Sequence, residues 1–236
     1  MVMPMPMPMP GWDTAGAVLL VLWALVMWTA VGVLACANRG PVRPWVYRGS
    51  LAVIGSGVLG QLGHVQEHVA QAGYWLGHPN GPAWMTPWGT GLANGLQQVL
   101  PGRPAFGMEL LHLTGNFLFL AGLAGVMVIT RRATGTRTRR WAKTGVWMQG
   151  LHGLEHLVLT LSVASGAPRA IGLSTFFGLV DPGPGLTTYR VWWHFTANVL
   201  GSIIFGLALY HLWRERREVR AGFVLRPLPS VTGRAA

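Results

Sequence analysis

Residues 61–68 read Gln-Leu-Gly-His-Val-Gln-Glu-His, and residues 149–156 read Gln-Gly-Leu-His-Gly-Leu-Glu-His. Both fit Gln-x-x-His-x-x-Glu-His. At about 100° per residue, Gln61, His64, Glu67 and His68 fall within roughly 120° of one helix face, and so do Gln149, His152, Glu155 and His156. Both octets lie in apolar stretches, where a polar stripe is costly in lipid and must face protein, metal or trapped water. Imidazole and carboxylate donors at this spacing suit Zn, Fe, Mn or Cu. The chemistry they predict is a metal site between helices.

A second motif follows each octet. Residues 112–116 are His-Leu-Thr-Gly-Asn and residues 194–198 are His-Phe-Thr-Ala-Asn. The order octet, then His-x-Thr-x-Asn, therefore occurs twice, which predicts a duplicated helical hairpin. Each half offers three histidines and one glutamate. The predicted ligands of two ions are His64, Glu67, His68 and His112 from the first half, and His152, Glu155, His156 and His194 from the second. Glu109 is an extra carboxylate, since its equivalent in the second half is Val191. With His112 it makes the Glu-x-x-His spacing of carboxylate di-iron bundles, and it is expected to act as a further ligand or as the catalytic general base. Gln61, Asn116, Gln149 and Asn198 are expected to orient the imidazoles from behind. Thr114 and Thr196 point away and are read as hydrogen bonders between helices.

His-x-x-Glu-His resembles the inverzincin metalloprotease signature over five residues. The set of histidines and carboxylates is similar in kind to that of the membrane alkane hydroxylases and fatty-acid desaturases, whose His-x-x-His-His boxes are absent from this chain.

The elements that must position these groups follow from hydropathy. Of 236 residues, 51% are hydrophobic and 11% charged, and the mean hydropathy is +0.39. This is the composition of an all-α polytopic membrane protein. Five stretches near the roughly 20 residues needed to cross a bilayer occupy 15–37, 50–73, 105–130, 141–165 and 191–213. The net charge of +11 does not imply nucleic acid, because the basic residues flank apolar stretches. Connectors with Arg39, Arg43 and Arg48 and with residues 131–143, together with the tail from Arg214, carry most of that charge. The positive-inside rule then puts the N-terminus outside and the C-terminus in the cytoplasm. Stretches two and three repeat as four and five, in parallel, and form a four-helix bundle with the first stretch at its edge. Three of the seven acidic residues and seven of the eight histidines fall inside these stretches, and of the latter only His211 sits near a cytoplasmic end, which leaves six histidines and three glutamates. At about 1.5 Å per residue, all nine come out in one layer in the outer half of the membrane.

Residues 1–14 read as a Met/Pro-rich extracytoplasmic arm, 15–213 as the membrane domain and 214–236 as a basic cytoplasmic tail. The single Cys36 offers no disulfide or thiolate cluster and is expected to be a small packing residue. The expected function is a multi-pass plasma-membrane oxidoreductase with two transition-metal ions, iron or copper ahead of zinc, that oxidises a lipophilic or small substrate with O₂. Alternatives are a metal-ion binding or transport protein, a haem-binding electron-transfer subunit and a zinc-dependent membrane hydrolase. The bilayer is the expected partner, with other membrane subunits or an electron donor as further candidates.

Overall fold

The computed structural model describes residues 10–224 other than Asn80 and Ala83. Among them there is no strand. The order is α1 (Pro10–Ala37), α2 (Pro44–Gly77), α3 (Pro87–Gln97), α4 (Phe106–Ile129), α5 (Arg137–Ala164), a 3₁₀ stretch (Leu173–Gly178), α6 (Pro184–Arg214) and α7 (Arg216–Ala221). Proline opens α2, α3 and α6, where its fixed φ suits the first turn and its missing N–H costs nothing. Thr86 and Thr136 cap α3 and α5, their hydroxyls accepting from the Gly89 and Arg139 amides, which supplies partners for otherwise orphaned donors.

Among the described residues three helices, α1, α4 and α6, are long and apolar enough to cross a membrane. The 34 residues of α2 and 28 of α5 give the same reach, but these helices carry the polar octets, and α5 also carries Arg137, Arg139 and Arg140. The helix at the centre is α4: 61% of its apolar window is buried, against 28% for α1 and α6. It packs on α2 and α5, and α6 packs on both of those. Close approach depends on glycine. A Cβ on Gly57 of α2 would run into the Gly122 backbone of α4, and one on Gly201 of α6 would meet Phe119 at 2.9 Å. Small residues at such crossings let backbones touch. On the flank, α1 packs against α2, α3 and α4, and Trp28 Nε1 donates to the Phe117 carbonyl at 3.1 Å.

The bundle has two unlike ends. Where α1 and α4 finish and α2 and α5 begin, it is filled by one apolar cluster that includes Leu34, Val53, Phe119, Val126, Ile129 and Phe205. Polar links fasten that end: Asn38 Nδ2 donates to Val128 O at 2.7 Å and Arg132 Nε donates to Asn38 Oδ1 at 3.0 Å. Glu215 accepts from the amides of Arg137 and Thr138, both at 3.0 Å, and from the Thr138 hydroxyl at 2.7 Å. The opposite end holds six imidazoles, those of His68, His156 and His194 buried and those of His64, His112 and His152 half-buried.

Several boundaries differ from expectation. The first helix begins at Pro10, so residues 10–14 are helical rather than part of an arm; the Met-Pro repeat of residues 1–9 lies outside the described residues. The connector expected over 74–104 contains α3, and the tail begins with α7. Cys36 is exposed, not packed.

Candidate functional site

Two helices bring histidine pairs and two bring single histidines to one place. His64 and His68 of α2 have ring centroids 4.8 Å apart, and His152 and His156 of α5 are 4.9 Å apart. From α4, the His112 ring is 6.3 Å from His64 and 5.4 Å from His68. From α6, the His194 ring is 6.0 Å from His152 and 5.1 Å from His156. The crosswise pairs are stacked: His68 on His194 at 5.7 Å with planes 9° apart, and His112 on His156 at 5.4 Å with planes 7° apart. His112 and His194 close the set at 5.7 Å. Every separation in one half has a partner in the other within a few tenths of an ångström.

The nitrogens are oriented. His112 Nδ1 donates to Met108 O at 2.8 Å and His194 Nδ1 to Arg190 O at 2.7 Å. A carbonyl can only accept, so each Nε2 carries a lone pair pointing the other way when the ring is neutral. His68 Nδ1 is 3.0 Å from Gln71 Oε1, and His68 Nε2 is 3.0 Å from His64 Nε2. His156 Nδ1 faces Glu109 Oε2 at 3.9 Å, beyond hydrogen bonding. Buried without any partner are His64 Nδ1, His152 Nε2, both nitrogens of His156, His194 Nε2 and Glu109 Oε2. Each such orphan costs about 1–3 kcal/mol, so the cluster is dear to keep in this form. As placed, no three His, Cys, Asp or Glu side chains among the described residues could hold a metal ion. The imidazoles are gathered but not closed around a point.

The three glutamates are engaged elsewhere. Glu67 accepts from the Thr86 amide at 2.9 Å, from the Thr86 hydroxyl and from Gln71 Nε2 at 3.2 Å. Glu155 accepts from the Leu173 amide at 2.8 Å, the Ser174 amide at 2.7 Å and the Ser174 hydroxyl at 2.8 Å. In both halves the anchoring hydroxyl residue follows the glutamate by 19 positions. Glu109 is 1% exposed and takes Arg190 Nη2 at 2.9 Å.

Below the rings, the amides join the halves. Gln61 Nε2 donates to Ser202 Oγ at 2.9 Å and, at 3.4 Å, to Asn198 Oδ1, and Gln149 Nε2 donates to Asn116 Oδ1. Asn116 and Asn198 also donate, each at 2.9 Å, to the carbonyls of His112 and His194. These four residues thus hold the backbone turns that carry two of the histidines. Thr114 donates to Leu110 O of its own helix at 2.8 Å, not across an interface, and Thr196 is exposed.

Among the described residues, cavities reach the cluster from two sides. One, of about 230 Å³, lies under the connectors and is lined by Gln71, Trp84, Arg190, His112 and His194 among others. The other, of about 190 Å³, lies between α1, α2, α3 and α4 and ends on His64 and His112. Gln71, Thr86, Ser174 and Arg190 were not identified from the sequence. Gln71 extends the stripe by one helical step from His68, and Thr86 and Ser174 share the register of the repeat, so both signals were present. Arg190 has no such signal.

The fold and site define an all-helical class of protein with helices fit to cross a membrane and a buried histidine cluster at one end. The chain belongs to a family of unknown function (DUF6008), whose profile matches residues 3–235. Neither the curated proteins nor the solved structures provide a match.

Proposed function

We propose that this protein is an integral membrane metalloprotein that holds two transition-metal ions between α2, α4, α5 and α6 and acts as an oxidoreductase on a small or lipophilic substrate. All five long helices cross the bilayer, with the N-terminus outside, the C-terminus in the cytoplasm and the histidines in the outer half of the plasma membrane. The hairpins α2–α4 and α5–α6 are related by a pseudo-twofold axis along the membrane normal. The paired ring separations support that symmetry.

The observation that carries the metal reading is the orientation of the imidazoles. Three have Nδ1 on an oxygen, with the rest of the ring directed into a cluster of unpartnered nitrogens. Metal-ligating histidines are held this way from behind. Ligands at about 2.0–2.1 Å from one ion lie roughly 3 Å apart, the distance between His64 Nε2 and His68 Nε2. His64, His68 and His112 would hold one ion, and His152, His156 and His194 the other. With Glu67 and Glu155 occupied by the connectors, they anchor loops and the ligand shell is all imidazole. That donor set suits copper better than the oxygen-rich shells that suit harder ions. Glu109, held by Arg190 and beside His156, is the general base.

Transport is the weaker reading, because an apolar cluster fills the bundle beyond the Gln61 and Gln149 layer. Haem also fits less well, since a flat macrocycle needs open faces and His68, His112, His156 and His194 each neighbour several other rings.

Element-resolved analysis of the purified protein tests this. Two copper or iron ions per chain are expected, with His68→Ala and His156→Ala each losing about half, and a reductant-sensitive spectrum. Protein that retains no metal and takes up none on titration ends the metalloprotein reading. Zinc alone ends the redox part and leaves hydrolysis.

A further inference from the structure

We infer that the cavity between α1, α2, α3 and α4 binds a small uncharged lipophile, a single ring or the last few carbons of a chain, which enters from the bilayer. The inference names the substrate class for the site above and rests on the membrane-spanning reading.

The lining is apolar except at one end. Leu20 and Trp23 come from α1, Leu59 from α2, Leu92 from α3, and Leu111 and Leu118 from α4. His64 and His112 form the polar end. Glu67 also borders the space, but its oxygens are taken by Thr86 and Gln71. A buried water needs two to four polar partners, and the ring nitrogens free to serve one lie together at the histidine end: His64 Nδ1, beside which a Cβ on Gly115 would stand at 3.5 Å, and His112 Nε2, whose ring is held through Nδ1. Away from that end the leucines and Trp23 offer water no partner.

Its size sets the ligand. An engineered apolar cavity of about 150 Å³ binds benzene, and drug-sized ligands need roughly 300–1,000 Å³. At about 190 Å³, this one holds one ring or a short chain end and excludes a whole lipid. Leu59 and Trp88, at 64% and 43% exposed, form its outward side, which faces hydrocarbon in the proposed orientation. The arrangement also gives α1 a role. The duplicated hairpins leave that helix without a counterpart, and with α3 it builds the wall that makes a pocket beside His64.

Glycine at position 63 provides the room. It borders the cavity, and a Cβ there meets nothing within 4 Å. Gly63→Leu fills the space without a backbone clash. Gly55 on the same helix also has nothing within 4 Å but does not border the cavity, so Gly55→Leu is the matched control.

The test uses crystals of the full chain grown in lipid and exposed to bromobenzene, with the bromine located by anomalous scattering. A bromine peak among Leu59, Leu111 and Leu118 is expected, lost in Gly63→Leu and kept in Gly55→Leu. Leu111→Phe serves if Gly63→Leu does not fold. Ordered water among those leucines, bromine only in the surrounding lipid, or a peak unaffected by Gly63→Leu or Leu111→Phe overturns the inference. The readout needs no metal: a bromine peak in a protein that binds no metal would sink the redox reading alone, and metal-loaded protein without the peak would sink this inference alone.

Discussion

Glu67 and Thr86 are joined twice, the Thr86 amide donating to Oε1 at 2.9 Å and its hydroxyl donating to Oε2. The same hydroxyl accepts from the Gly89 amide at 3.2 Å and caps α3. One carboxylate at the end of the octet therefore fixes the connector and starts the helix that walls the apolar cavity. In the second half, Glu155 and Ser174 repeat the link.

Glu67→Gln and Glu155→Gln are expected to loosen the connectors while leaving metal content unchanged. Hydrogen bonds to a charged group contribute about 1.5–3 kcal/mol, so each variant should lose stability on that scale. Faster amide exchange should appear at Thr86 in one variant and at Leu173 and Ser174 in the other. Metal loss in step with either substitution would instead make that glutamate a ligand.

Glu109→Gln strips Arg190 of its partner. Breaking a fully buried pair costs roughly 3–5 kcal/mol, and the loss should fall below that range because the Arg190 side chain is 23% exposed. Adding Arg190→Met should restore part of the stability, since no unpaired guanidinium remains. Denaturant unfolding in detergent reads both. A double variant no more stable than Glu109→Gln would show that the stranded arginine is not the cause.

Gly57→Val should destabilise the bundle far more than Gly55→Val. A Cβ at position 57 collides with the Gly122 backbone, which has no rotamer to move, whereas at position 55 it meets nothing within 4 Å. Overpacking costs about 1–3 kcal/mol when side chains can yield, so the Gly57 variant should lie at or above the upper end. Comparable melting temperatures for the two would argue against the α2–α4 contact.

Glu215 predicts an acid-sensitive joint between α5 and α6. Burial raises its pKa, but the amide and hydroxyl of Thr138 and the amide of Arg137 together outweigh that and hold it below the ordinary carboxylate value of 4.5. A depressed folded-state pKa contributes stability that is present above the ordinary value and lost as pH falls through the folded one. Stability should therefore decline below about pH 4.5, and Glu215→Gln should flatten that decline. An unchanged acid limb would remove Glu215 from the account.

Parts of the site were legible because helical periodicity is local. Spacing alone put Gln61, His64, Glu67 and His68 on one stripe, and the second copy marked where to look again. The short α3 was not legible. Its sequence, Pro-Trp-Gly-Thr-Gly-Leu-Ala-Asn-Gly-Leu-Gln, has three glycines in 11 residues, and a helix that short is marginal without tertiary packing. Gly91 and Gly95 answer to α1, where a Cβ on Gly95 would strike the Asp13 carbonyl, and Gly89 answers to Glu67 of α2.

By itself the sequence determined the helical class, the apolar helices and the polar stripe with its duplicate, because each depends on neighbours a few residues away. Only the tertiary structure decided how the polar groups are divided. Glu67 and Glu155 share a stripe with the histidines but turn to connectors 19 residues on, Gln61 and Gln149 reach across to the other half, and Arg190 claims Glu109 from 81 residues away. A buried donor or acceptor takes whichever partner the packing brings within about 3 Å, and that choice is not encoded in the spacing of any one helix.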